Sequence, residues 1–243
     1  PSREPWKAAG PHLDAIREAM AWRYRLLPYL YTQAWRATHG SPPIVPVWWS
    51  GTSVAEAASM DPDLLAVDDE FLVGPHVLVA PVFSAGATER EIRLPPGGWY
   101  ELGGEERLEG TFTVGVTMAS IPAFVRDGAV LPTDDEGADV LHLYPPDDGR
   151  AEPAYSAWYR DAGDGYGPHR ADDFSVQATD GWTWTVSRHA EDAEFVVDDS
   201  DLGVVVHGGP WTVSVDNGDP QAVKPGQPLR VGDFAELVVR RTT

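Results

Sequence analysis

The chain has no cysteine among its 243 residues. That excludes disulfides, thiol catalysis and thiolate-ligated zinc. It has no apolar run near the ~18 residues of a membrane-spanning helix, because Arg, Pro or acid interrupts each one early. No basic segment followed by an apolar one opens the chain, so no signal peptide is visible. Basic residues are scarce, 18 Lys and Arg against 38 Asp and Glu, for a formal net charge of −20. Such an excess favours solubility and repels nucleic acid and anionic membrane. It suits a neutral ligand such as a sugar without selecting one. The seven His (His12, His39, His76, His142, His169, His189 and His207) are scattered, and no pair has zinc-ligand spacing on one helix. The expectation is therefore no metal, no cofactor and no nucleic-acid or membrane partner, with the location open and the cytoplasm favoured.

Hydrophobic residues make up 42% of the chain and charged residues 23%, a globular composition for one large or two ordinary domains. The charge is unevenly spread. Residues 1–40 carry six basic side chains against three acids, so the rest of the chain holds a net −23. This shift marks the first forty residues as a separate structural unit. Within them, Ile16, Met20, Tyr24, Leu27, Tyr31 and Trp35 recur at helical spacing and predict one long helix over about 11–38. Leu13, Trp22, Leu26 and Leu30 add apolar bulk off that stripe, so the helix expects partners on more than one side. Pro28 lacks the N–H that would bond back to Tyr24, which predicts a bend. Gly40 ends the helix.

Residues 43–49 form a short apolar run that reads as a buried strand. A loop follows, with a helical turn around 54–60. From Phe71 onward the pattern is β. Candidate strands are 76–83, 90–94, 99–102, 111–116, 121–125 and 129–132, separated by Gly and Pro turn signals. The acidic stretch 133–137 reads as a domain boundary. A second set follows at 139–144, 157–161, 174–178, 182–188, 193–197, 204–207, 211–215 and 234–240. Short strands at such intervals suggest sandwiches or an open barrel.

Several motifs in this order resemble one family. RYRLLPYLYT at 23–32 is followed by GSPPIVPV at 40–47. DDEFLVG at 68–74 leads into LVAPV, then PPGGWY at 95–100, IPAFVRDGAVLP at 121–132 and WYRDAGDGY at 158–166. The series resembles the back end of glycoside hydrolase family 31, whose members include α-glucosidases and α-xylosidases. The resemblance implies a mainly β chain: two β-sandwiches in tandem, preceded by the long helix and a strand left from a (β/α)8 barrel. It divides the chain into 1–66 (barrel remnant), 67–136 (proximal sandwich) and 137–243 (distal sandwich). Val45 stands where the family usually has Arg, so any contact of that Arg is lost or replaced.

The resemblance also implies what is missing. The family's nucleophile is an Asp in a Trp-x-Asp-Met setting, and none of the ten Trp here has Asp two residues on. Its acid/base Asp and sugar-binding His lie before the segment resembling residues 2–6. No catalytic residue carries over, and the chain alone is expected to be inactive. Retaining glycoside hydrolysis needs two carboxyl groups ~5–5.5 Å apart, one ionised and one protonated. The implied partner is the parent's catalytic barrel, and the implied substrate is an α-linked carbohydrate.

Two acidic clusters are candidate sites. Asp68-Asp69-Glu70 has adjacent side chains that diverge, and reads as solvated or capping. Asp161-Ala162-Gly163-Asp164-Gly165 lacks the alternating ligand ladder of a calcium loop and reads as a hairpin turn. Four aromatics are the candidate substrate contacts. Trp182 and Trp184 share a face if their segment is a strand, giving a sugar-stacking platform if exposed and core if buried. Trp48 and Trp49 point to opposite faces if extended. Structural support for a barrel, a carbohydrate-binding module and a domain docking on a separate barrel are the three functions the sequence leaves open.

Overall fold

The computed structural model describes residues 4–49, 62–147, 152–163 and 166–242. The helical turn expected at 54–60, and Asp164 and Gly165, lie outside them. Two helices follow a single 3₁₀ turn. α1 is Pro11–Arg25 and α2 is Leu27–Thr38, each with Pro in its first turn. The expected single helix is therefore two. The break falls at Leu26, two residues before Pro28, so that Pro28 sits in the first turn of α2, where its missing N–H costs nothing. A short helix, α3 (Pro62–Leu65), lies between the first strand and the rest of the first sheet.

The first sandwich has a six-stranded sheet. In spatial order it runs β1 (Ile44–Pro46), β2 (Phe71–Val73), β3 (Val77–Val79), β8 (Ala123–Arg126), β5 (Trp99–Glu101) and β6 (Arg107–Leu108). β4 (Glu89–Arg93) and β7 (Thr111–Gly115) pair antiparallel and cover one face. The expected barrel strand at 43–49 is thus only three residues long. It is hydrogen-bonded to β2 at the sheet's edge, Ile44 opposite Val73. Trp48 and Trp49 fall in the turn beyond it.

Alternation explains why both faces of this sheet are covered. Leu72, Leu78 and Phe124 point toward the β4–β7 pair and pack with Trp99 and Ile92. Val77 and Val125, their neighbours in sequence, point the other way, against Tyr29, Tyr100 and Tyr144. Phe112 meets Phe124 edge-on, ring centroids 5.7 Å apart. Each fully buried Leu or Phe contributes roughly 1.5–3 kcal/mol.

The second sandwich stacks two sheets. The smaller runs β17 (Leu229–Arg230), β14 (Gly203–Val206), β10 (Ala138–Leu143) and β9 (Val130–Asp135), with β10 and β14 parallel. The larger runs β11 (Ala154–Asp161), β12 (His169–Asp180), β13 (Thr183–Ala193), β18 (Glu236–Arg241), β15 (Trp211–Val215) and β16 (Gln221–Val223). Between them lies a core that includes Trp158, Phe174, Trp184, Trp211 and Phe234. The stretch 133–137, read as a boundary, is the tip of the β9–β10 hairpin inside one sheet. Glu136 and Gly137 adopt φ of 57° and 89° there, the left-handed turn conformation that Gly supplies freely. The strand expected at 193–197 is absent as a separate element; β13 runs on to Ala193 instead.

The helices seat on both sandwiches, but only the C-terminal part of the face the periodicity marks takes part, with Tyr31 and Trp35 against Tyr159. Met20 (42% exposed), Tyr24 (58%) and Leu27 (42%) of the apolar stripe lie in the open, and α1 has no buried residue. The buried face of α2 is Tyr29, Thr32 and Gln33. Tyr29 donates its hydroxyl to the Val73 carbonyl at 2.7 Å and accepts the His76 N–H at 3.3 Å. Thr32 accepts the Tyr159 N–H at 3.0 Å. Trp35 stacks on Tyr159 at 4.9 Å.

Candidate functional site

One opening follows from that seating. Trp22, Leu26 and Leu30 form one wall and Val79, Leu102 and Ile121 of the first sandwich the other, enclosing a groove of about 790 Å³. Its floor is apolar because the six-stranded sheet's second face continues past the helices. Beside it the Met20–Tyr24–Leu27 stripe runs uncovered along the same helices. A contiguous apolar surface of this kind marks an interface more often than a solvated face.

Asp69, Glu70 and Asp161 of the two acidic clusters are engaged structurally. Asp69 pairs with Arg90 at 2.9 Å, and the Glu70 carboxylate accepts the Arg93 N–H at 3.0 Å. Burial pushes the Glu70 carboxyl up. The pair thus ties β2 to β4. Asp161 accepts hydrogen bonds from the Tyr31 hydroxyl at 2.8 Å, the Tyr159 hydroxyl at 3.0 Å and the Gly163 N–H at 2.7 Å. It clamps α2 to β11. Among the described residues no three His, Asp or Glu gather as metal ligands.

Two buried acids do face the same groups. Asp172 receives Arg160 at 2.7 Å, Arg170 at 2.8 Å and Arg188 at 3.0 Å; Asp199 receives Arg188 at 2.6 Å. Burial alone would raise both carboxyls, but the arginine hydrogen bonds overcome it and hold Asp172 down at about 2, with Asp199 also lowered. Both are ionised near neutrality, so neither can donate the proton that glycoside cleavage requires.

The four candidate aromatics separate. Trp182 lies in the turn before β13, 59% exposed, with the Arg241 guanidinium 5.7 Å from its ring. Trp184 is 3% exposed and meets Trp211 edge-on in the core. The two do not form one exposed face, because Trp182 precedes the strand whose alternation was to align them. Trp48 and Trp49 do come together, ring centroids 6.0 Å apart, with Trp49 38% exposed.

One cluster escaped sequence reasoning. His142 on β10 and His207 just after β14 meet Nδ1 to Nε2 at 3.0 Å, with Tyr144 stacked on His207 at 4.3 Å. Arg25 at the end of α1 holds Asp135 beside them with two bonds of 2.7 and 2.8 Å. These residues lie 65 and 110 positions apart. The parallel pairing of β10 with β14 brings the two histidines together, and the seating of α1 against β9 brings Arg25 to Asp135; no spacing in the chain signals either.

The family model described as "Glycosyl hydrolase family 31 C-terminal domain" matches residues 40–131, and "Glycosyl hydrolases family 31 TIM-barrel domain" matches residues 1–33. Human neutral alpha-glucosidase AB is 36% identical over 135 residues, covering 54% of this chain and 14% of its own length. An alpha-xylosidase of Saccharolobus solfataricus is 33% identical over 137 residues, covering 54% and 17%. The chain thus spans about a sixth or less of these curated relatives. In fold it is similar to a dextranase of Flavobacterium johnsoniae, with a TM-score of 0.80 and 21% identity over 99% of this chain and 34% of that one.

Proposed function

Given that the chain belongs to glycoside hydrolase family 31, as its C-terminal domain with the adjoining end of its TIM-barrel domain, we propose that it is the structural support of a catalytic barrel that cleaves α-linked glycosides. On this reading α1 and α2 are the barrel's last helix, and their uncovered stripe packs on barrel strands. The observation that carries the proposal is the two-sided helix pair: Tyr29, Thr32 and Gln33 are seated on the sandwiches while Met20, Tyr24 and Leu27 face outward. The reacting carboxylates then belong to the barrel, in keeping with the missing Trp-x-Asp-Met motif and the ionised state of Asp172 and Asp199. On this reading β1 joins the first sandwich, and the boundary between the sandwiches falls before β9 rather than at 133–137.

The test mixes this chain with a separately produced family-31 barrel that lacks its own last helix and C-terminal sandwiches. The chain alone should not release nitrophenol from nitrophenyl α-glucoside or α-xyloside. The mixture should do so, and Tyr24→Glu in this chain should abolish the gain. Turnover by the chain alone that an acid-to-amide substitution within it removes would refute the reading.

A further inference from the structure

The histidine cluster forms a chain of contacts through three parts of the molecule. It starts at Arg25 of α1, which holds Asp135 on β9. Asp135 Oδ2 lies 3.6 Å from His142 Nε2. His142 Nδ1 lies 3.0 Å from His207 Nε2, and His207 Nδ1 lies 3.3 Å from Glu105 Oε1, in the turn between β5 and β6 of the first sandwich. The other Glu105 oxygen accepts the Gly208 N–H at 2.8 Å.

Counting protons gives this chain a defined requirement. Three links lie between the two carboxylates, and each needs one proton. Two neutral imidazoles supply only two. The distances match that shortfall. The His142–His207 and His207–Glu105 links are short enough to be hydrogen bonds, while the Asp135 link is longer than one. His142 Nε2 is buried without a hydrogen-bond partner. A third proton there would close the open link. A fourth, on His207, would leave two N–H groups facing each other across 3.0 Å.

We propose that the His142–His207 pair is a single-proton latch: one proton taken up at His142 Nε2 completes the hydrogen-bond chain from α1 through the second sandwich to the first, and a second proton breaks it. The groups facing the pair are Arg25 and Asp135 on the helix side, Glu105 on the first sandwich, and Tyr144, whose hydroxyl accepts the Gly103 N–H at 3.2 Å. Burial, with His142 and Arg25 nearby, holds His207 down at about 3, against the hydrogen bond to the Gly104 backbone. It therefore resists the disruptive proton.

The test is ¹⁵N NMR of the histidine rings in the full 243-residue chain from pH 8 to 4.5, with His142→Gln and His207→Gln used only to assign signals. The first proton added to the pair should appear at His142 Nε2 while His207 stays neutral. Exchange of the Gly208 amide, corrected for its intrinsic pH dependence, should slow roughly tenfold between pH 8 and 5.5, as expected for one added charge-assisted bond. Protonation of both rings together, the first proton appearing on His207, or unchanged or faster Gly208 exchange would each overturn the latch.

Discussion

Asp172→Asn tests whether the buried arginine–aspartate network stabilises the second sandwich. The Asp172 side chain is fully buried and binds three arginines, one of which, Arg188, is itself only 2% exposed. Its lowering from 3.8 to about 2 corresponds to about 2 kcal/mol of preference for the ionised folded form. Removing one partner of a buried pair can cost ~3–5 kcal/mol. Here Asn keeps the volume, and Asp199 still holds Arg188, so the lower figure applies. For a chain of this size a loss of about 2 kcal/mol lowers Tm by ~4–8 °C. The pH dependence follows from the direction of the shift. A carboxyl whose folded value is depressed stabilises fully above its unfolded value and loses that effect as pH falls through its folded one. The gap between parent and variant should thus be full at pH 7 and about half as large at pH 3. Thermal unfolding followed by circular dichroism at both values measures it. Equal Tm values at pH 7, or a gap undiminished at pH 3, would refute the assignment.

Two further substitutions probe the helix seat and the aromatic assignment. Gly74 has φ of 59°, and a Cβ there would press on the Gln33 side chain and approach the Tyr29 hydroxyl to 2.7 Å; Gly74→Ala should cost more than about 1 kcal/mol through strain, read by urea unfolding, with an unchanged midpoint counting against this seat. Trp184→Ala should cost about 3–5 kcal/mol as a large core truncation, whereas Trp182→Ala should cost less than about 1 kcal/mol; similar unfolding midpoints for the two variants would contradict their placement.

The helix shows where local pattern stops informing. The stripe from Ile16 to Trp35 established an amphipathic helix, yet the structure covers Tyr29, Thr32 and Gln33 and leaves Met20 and Tyr24 open. Periodicity reports that a face is apolar, not which of several partners is present to cover it. Likewise Trp184 was legible as strand, but its separation from Trp182 depends on where the turn ends and the alternation begins. The segment 133–137 has turn chemistry that fits a linker and a hairpin equally well. Only the pairing of Val130 with Leu143 distinguishes them.

Strand-rich architecture, a helical opening and family kinship are legible in the chain alone, because each is written in short-range alternation or in motifs of ten residues or so. The tertiary structure alone decided that β1 joins the first sandwich, that three arginines converge on Asp172, and that His142 meets His207. Those outcomes depend on sheet register and on parallel pairing between strands far apart in the chain. Side chains separated by 65 to 130 residues leave no periodic trace of their meeting, since what joins them is the packing of whole sheets.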